Sequence, residues 1–192
     1  MKLKIKGLKK KKNHQTQEAF SLERLNSKTQ KYCNDFDCGN EYINAFVRDT
    51  NSESTDRVSY IYVDNRIKKA ACVYSLACSS IILQSAANIT LIPAVEIKIF
   101  ALDRNFQYKS YGVYERSKDD EDLTYGDVFL SNAISSIVDF TTNICGSEYI
   151  VLYSVPEAEH FYKRNYFENF DNFMSPDQSI VNEDCIPMFY VL

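Results

Sequence analysis

The sequence predicts one α/β or α+β domain, and three observations lead there. Short apolar segments of strand type are interleaved with a few that repeat at helical spacing, so sheet and helix alternate along the chain. With 192 residues and 22.2 kDa the chain is long enough for one substantial core and short for two. Hydrophobic residues make up 45% and charged residues 25%, with only 5 glycines and 4 prolines, which excludes collagen-like, linker-rich and low-complexity classes. No internal repeat and no second domain is visible.

The elements follow in order. Ala19 to Leu25 alternates as a short strand, and Asn34 to Asn40 carries turn residues. Glu41 to Arg48 has Tyr42, Ile43, Phe46 and Val47 at helical spacing. After a polar loop, Asn51 to Asp56, the segments Val58–Val63 and Ala70–Ile82 read as strands joined by a turn at Asp64-Asn65. Ile92 to Leu102 is so apolar that it belongs at the sheet centre. From Asp103 to Leu123 the pattern is lost in a long loop that holds the acidic run Asp119-Asp120-Glu121-Asp122. A helix follows, with Leu130, Ile134, Ile137 and Val138 on one face and Thr124-x-x-Asp127 as a capping box. Tyr149–Tyr153 reads as a buried strand. A short helix comes next, with Ser154 as its cap and Pro156 in its first turn. Tyr166–Met174 and Cys185–Leu192 close the sheet.

Charge is unevenly spread. The formal net charge is −4, but Lys2, Lys4, Lys6, Lys9, Lys10, Lys11 and Lys12 crowd the start. Setting those seven aside, 15 basic residues face 26 acidic ones, a balance of −11. The chain thus divides into a basic arm, residues 1–17, and an acidic domain, residues 18–192. The arm reads either as a solvated tail or as an attractor of nucleic acid or another anionic partner. The domain repels polyphosphate over most of its surface. The basic start lacks the apolar stretch of a secretory signal, and no segment is long and apolar enough to span a membrane. Cysteines 33, 38, 72, 78, 145 and 185 form no CxxC pair, and His14 and His160 complete no zinc set. We expect reduced thiols, a cytoplasmic location, no membrane contact and no metal.

Four fragments in chain order carry a family resemblance. Tyr149-Ile-Val-Leu-Tyr-Ser-Val-Pro-Glu-Ala-Glu-His-Phe-Tyr-Lys-Arg-Asn-Tyr-Phe167 resembles the strand–helix segment of the GNAT (GCN5-related) N-acetyltransferase superfamily that ends "A…FY…GF", with Ala158, Phe161, Tyr162 and Phe167 at matching offsets. Tyr125-Gly-Asp-Val-Phe-Leu-Ser-Asn-Ala-Ile134 resembles its CoA-binding helix. Phe36-Asp-Cys-Gly-Asn40 with the helix to Arg48, and Val73-Tyr-Ser-Leu76, resemble the branch containing toxin–antitoxin acetyltransferases. The resemblance implies a single GNAT-like domain whose central sheet, mixed but mostly antiparallel, has six to seven strands flanked by helices. It also implies acetyl-CoA as co-substrate, and a second copy of the chain or an antitoxin-like protein as partner.

The family's phosphate loop reads Arg/Gln-x-x-Gly-x-Gly/Ala, its glycines admitting the CoA pyrophosphate to backbone N–H groups at a helix N-terminus. Here two frames compete. Glu121-x-x-Thr124-x-Gly126 abuts the helix and keeps the last glycine, while Gln107-x-x-Ser110-x-Gly112 keeps the glutamine. Thr124 and Asp127 compete for the first free N–H groups of the helix. Gln107, Thr124, Tyr125 and Gly126 are therefore the candidate phosphate-side residues. Phe100, Ala101 and Leu102 match the strand end whose amides pair with pantetheine, one of them facing the thioester oxygen.

Two residues are candidates for proton transfer. Tyr162 stands where the superfamily's tyrosine protonates the departing thiolate; packed beside Phe161, it reads equally as core. Glu96 matches the offset of the glutamate base in the histone-acetylating branch, though the toxin branch does not usually place a glutamate there. Alternation puts Glu96, Lys98 and Phe100 on one face and Val95, Ile97 and Ile99 on the other, which also allows a merely solvated Glu96–Lys98 pair. No cysteine–histidine or serine–histidine pair suggests a covalent route. The expectation is direct acetyl transfer to a primary amine on a small molecule or protein, with aminoacyl-tRNA disfavoured by the acidic domain. The rival is a GNAT-fold binding module with an eroded CoA loop.

Overall fold

The computed structural model describes residues 19–49, 55–84, 88–112, 123–170 and 184–192. The lysine arm, most of the 51–56 loop, the acidic run 119–122 and the end of the expected strand at 171–174 lie outside the described residues. Among the described residues seven strands form one sheet: β1 (Phe20–Arg24), β2 (Val58–Asp64), β3 (Lys69–Gln84), β4 (Ile89–Leu102), β5 (Tyr149–Ser154), β6 (Glu168–Asn169) and β7 (Ile186–Val191). Their order is β1-β2-β3-β4-β5-β7-β6, all neighbours antiparallel except β4 and β5, which run parallel. β4 is central, as its apolar sequence requires.

Among the described residues three helices cover the faces: α1 (Glu41–Arg48), α2 (Tyr125–Asn143) and α3 (Glu159–Arg164). α1 starts at Asn40, whose side chain accepts from the Ile43 N–H at 3.2 Å, a cap that contributes about 1 kcal/mol. It packs Ile43, Phe46 and Val47 against Ile61, Val63, Val73, Ile99 and Ala101. On the other face, α2 and α3 pack Leu130, Ile137 and Tyr162 against Val95, Ile97, Ile150 and Leu152. An aromatic layer of Phe20, Tyr62, Tyr74, Phe106 and Phe129 continues that face.

Several expectations need correction. The alternation along β4 breaks at Lys98, because Leu76 pairs with Ile97 and Ser75 with Ile99, leaving Lys98 as the extra residue of a bulge. Phe100 therefore joins Val95 and Ile97 on the α2 face, while Ile99 turns to the α1 face with Ala101. Ser154 does not cap the last helix: its hydroxyl donates to the Val155 carbonyl at 2.8 Å, and a 3-10 turn, Pro156–Ala158, leads into α3 from Val155. After α3, Asn165 keeps a negative φ of −95°, and Tyr166 itself takes the left-handed conformation, φ 69°. The strand expected from Tyr166 shrinks to Glu168–Asn169 among the described residues. A 3-10 turn, Gln30–Cys33, gave no periodic signal.

Candidate active site at the strand splay

β4 and β5 are hydrogen-bonded only from Ala94–Ile97 to Tyr149–Leu152. Past that point β4 continues on β3 alone, with Tyr74 opposite Phe100, Val73 opposite Ala101 and Cys72 opposite Leu102, while β5 turns to β7. The parallel pair thus splays, and the bulge at Lys98 falls where it opens. Phe100, Ala101 and Leu102 form the β4 side of the opening, and in the alternating antiparallel ladder Phe100 and Leu102 turn their main-chain groups away from β3. The Leu102 carbonyl accepts from Gln107 Nε2 at 2.8 Å, and the same Gln107 nitrogen donates to the Cys38 carbonyl at 2.9 Å. Gln107 hence ties the end of β4 to the loop before α1.

Tyr162 lies on α3 over the splay. It is buried, edge-on to Phe161 at 5.1 Å and to Phe167 at 5.6 Å. Among the described residues its hydroxyl has no hydrogen-bond partner. Burial, with a smaller contribution from the Cys72 thiol, pushes its phenol well above the usual range, so it is protonated at neutral pH. Beside it, Phe161 stacks on Phe100 with ring centres 6.0 Å apart. Glu96 points to the opposite face of the sheet from Tyr162, as its neighbours Val95 and Ile97 face α2. Its carboxylate sits 3.7 Å from Lys98 Nζ, largely shielded from solvent. The two candidates for proton transfer thus lie on opposite faces of the sheet, Glu96 where β4 still pairs with β5.

At the N-terminus of α2 the chain supplies its own anion. The capping box is complete: Asp127 Oδ2 accepts from the Thr124 N–H at 2.8 Å and from its hydroxyl at 2.7 Å, and the Asp127 N–H donates to Thr124 Oγ1. From α3, Arg164 donates to both oxygens of Asp127 at 3.0 and 2.9 Å, and Asn165 donates to Oδ1 at 2.9 Å. Burial works to raise the Asp127 carboxyl, but bonds from Thr124 and Asn165 and the Arg164 charge outweigh it and hold it below its usual value. Arg164 also lies 5.3 Å over the Phe161 ring. Gly126 meets that ring too: a Cβ there would stand 3.0 Å from Phe161 Cε2. Arg164 left no motif in the sequence, since an arginine in the last turn of a short helix is ordinary there.

The two frames weighed for the phosphate loop are joined by one backbone pairing. Ser110 and Thr124 form an antiparallel bridge, closed by Tyr111 N–H to Leu123 O at 2.7 Å and Tyr125 N–H to Lys109 O at 3.1 Å. Across that bridge Gln107-x-x-Ser110 runs on to Tyr125-Gly126, which restores Gln-x-x-Ser-x-Gly with an insertion at 111–124. Splice points of this kind have no side-chain signature, and only the pairing exposes them.

The 550 Å³ groove lined by Leu91, Pro93, Val138, Thr141 and Glu148 lies at the other end of β4 and touches none of these residues. Among the described residues no group of histidine, cysteine or acidic side chains could hold a metal ion. None of the six cysteines is in a disulfide among the described residues.

No known protein family and no curated protein matches the sequence. Solved structures do match. An AtaT tyrosine-to-phenylalanine mutant toxin, bound to the C-terminus of the antitoxin AtaR and acetyl-CoA, is 19% identical with a TM-score of 0.62, covering 90% of this chain and 93% of that one. A tyrosine-to-phenylalanine mutant of KacT is 16% identical with a TM-score of 0.65, covering 90% and 95%. AtaT complexed with acetyl-methionyl-tRNAfMet is 18% identical with a TM-score of 0.62, covering 90% and 94%. The chain accordingly has the GNAT fold, one α+β domain built on a mixed, mostly antiparallel sheet. Within that fold its structural neighbours are the AtaT and KacT toxins, the branch its sequence resembles.

Proposed function

We propose that this protein is an N-acetyltransferase that moves an acetyl group from acetyl-CoA directly to a primary amine. The observation that carries the reading is the splay of β4 from β5 with the protonated Tyr162 hydroxyl over it. The main-chain edge at Phe100, Ala101 and Leu102 suits a pantetheine arm, and an N–H there would steady the thioester oxygen as it gains charge. Acetyl-CoA supplies the activated acyl carbon. Glu96, on the far side, takes the proton of the incoming ammonium, directly or through water, so that the amine attacks neutral. As the new C–N bond forms and the C–S bond breaks, Tyr162 gives its proton to the departing sulfur, and the proton shed by the newly acylated nitrogen returns the Tyr162 phenolate to its neutral form, directly or through water. The acetyl-CoA and tyrosine-mutant structures among its neighbours support this reading.

The acceptor we propose is an amine on a small molecule or a protein, because the domain carries −11 without its arm. A neighbour solved with an acetylated aminoacyl-tRNA makes that the competing choice. An antitoxin-like protein is the partner suggested by the neighbours bound to AtaR.

One observation favours a second reading, a GNAT-fold binding module without CoA. At the N-terminus of α2, where the resemblance places the pyrophosphate, the Thr124 N–H donates to Asp127, the Tyr125 N–H to the Lys109 carbonyl and the Asp127 N–H to Thr124 Oγ1, and a phosphate would have to share Arg164 with Asp127. Calorimetry with acetyl-CoA separates the two. Saturable binding is expected, and no heat at millimolar acetyl-CoA would leave only the binding module.

A further inference from the structure

Glu96 is shielded without being satisfied. Its side chain is 13% exposed, and its neighbours across the sheet are the buried, uncharged Ala77 on β3 and Val151 on β5. Among the described residues it accepts no hydrogen bond, and its charged partner is Lys98 Nζ at 3.7 Å. A carboxylate kept from water ordinarily has donors on it. The buried carboxylates Asp64, Asp103 and Asp127 do: each accepts from a backbone N–H, and Asp64 and Asp127 are closed by arginines at 2.7 and 2.9 Å.

The bulge accounts for the place of Lys98. β5 pairs with β4 no further than Ile97, and the bulge leaves Lys98 without a partner on β3, so in the sheet it has a neighbour on neither side. A bulge re-aims a side chain. Here the extra residue sets an ammonium beside Glu96, on the face away from Tyr162, where the parallel pair begins to open.

We propose that Glu96 and Lys98 together hold the acceptor, and that the acceptor is an α-amino acid with a free carboxylate. This rests on the acetyl transfer proposed above and narrows its acceptor. An ammonium and a carboxylate on one carbon stand about 3 Å apart, and charge-assisted hydrogen bonds run at about 2.8 Å. With those sides, a ring of substrate and protein charges closes over the 3.7 Å gap between Glu96 and Lys98, and their signs alternate all the way round. The substrate ammonium lies on Glu96, which takes one proton and passes it to water; the substrate carboxylate lies on Lys98. Transfer gives the N-acetyl amino acid and CoA thiol, and the uncharged amide no longer pairs with Glu96. An amine without a neighbouring carboxylate would set its ammonium against Lys98 with no anion between them. So would an aminoacyl ester or the N-terminus of a protein.

Thiol release from acetyl-CoA and product mass test this on the full chain, with each common α-amino acid beside its methyl ester and its decarboxylated amine. At least one amino acid should be acetylated with a kcat/KM roughly tenfold or more above its own ester and amine. Lys98→Met, which keeps the length of the stem, should raise the KM for that amino acid about tenfold and improve kcat/KM for the decarboxylated amine. Lys98→Arg should restore the preference. A loosened fold would move both acceptors the same way, so the opposite shifts single out the charge. An ester or amine preferred by the wild type, or a Lys98→Met variant that weakens every acceptor alike, would overturn the proposal. Failure of acetyl transfer itself looks different, with no product from any acceptor in the wild type, and it would remove this proposal as well.

Discussion

At the scale of single residues, Tyr162 and Asp127 have separable roles. A leaving-group acid acts in the transition state, so Tyr162→Phe should cut turnover by roughly 10²–10⁴-fold while acetyl-CoA affinity stays within twofold. A variant that keeps wild-type turnover would return Tyr162 to the core. Asp127 instead holds α3 to α2 through Arg164 and Asn165. Asp127→Ala leaves Arg164 facing a helix N-terminus with no counter-charge, and a loss of about 2 kcal/mol is expected in urea unfolding. Because the folded carboxyl is held below its ordinary value, the Asp127 contribution is complete above that value and disappears as pH falls through the folded one. The stability difference between wild type and Asp127→Ala should therefore be constant near neutrality and narrow below about pH 4. Tyr166 bears a conformational cost: it is exposed with φ 69°, so Tyr166→Gly should stabilise the fold by about 1 kcal/mol.

At the scale of elements, Gly126 sets how closely α3 approaches α2. The contact Gly126→Ala would create is with a ring that is itself stacked on Phe100, so the ring cannot simply turn away. Displacement of α3 is expected, costing about 1–2 kcal/mol and lowering turnover through Tyr162, visible as a lower kcat at nearly unchanged melting cooperativity. Elements such as α1, the capped α2 and the central β4 were legible in the sequence because each is carried by a periodic apolar pattern or a cap. What failed to show were features that leave no such pattern. The bulge at Lys98 adds one residue to a strand whose composition stays apolar on both sides, so strict alternation put Phe100 on the wrong face. The Arg164–Asp127 clamp joins residues 37 apart in sequence, and the meeting of the two candidate loop frames depends on backbone pairing between Ser110 and Thr124. The candidate site residues were legible only through the family resemblance, and their geometry came with the structure.

At the scale of the whole molecule, charge separates the acceptors that the proposed acetyl transfer could serve. Binding an acceptor stem means neutralising several phosphates, each contact adding about 0.9 to the slope of log affinity against log salt. The described cations are largely committed to acidic partners: Arg66 to Asp64, Lys69 to Asp35, Arg104 to Asp37, Lys163 to Glu159 and Arg164 to Asp127. Pairing of this kind leaves little net field to steer a polyanion toward the splay. The seven lysines of residues 2–12 are the concentrated positive charge in the sequence. A gel shift with tRNA at low salt should therefore show weak binding in the full chain and none after residues 1–12 are removed, while acetylation of a small amine persists in both. Tight binding that survives removal of the arm, with a slope of several units, would reverse the choice and make aminoacyl-tRNA the acceptor, because the folded body would then have to gather enough uncommitted cations to override its own −11.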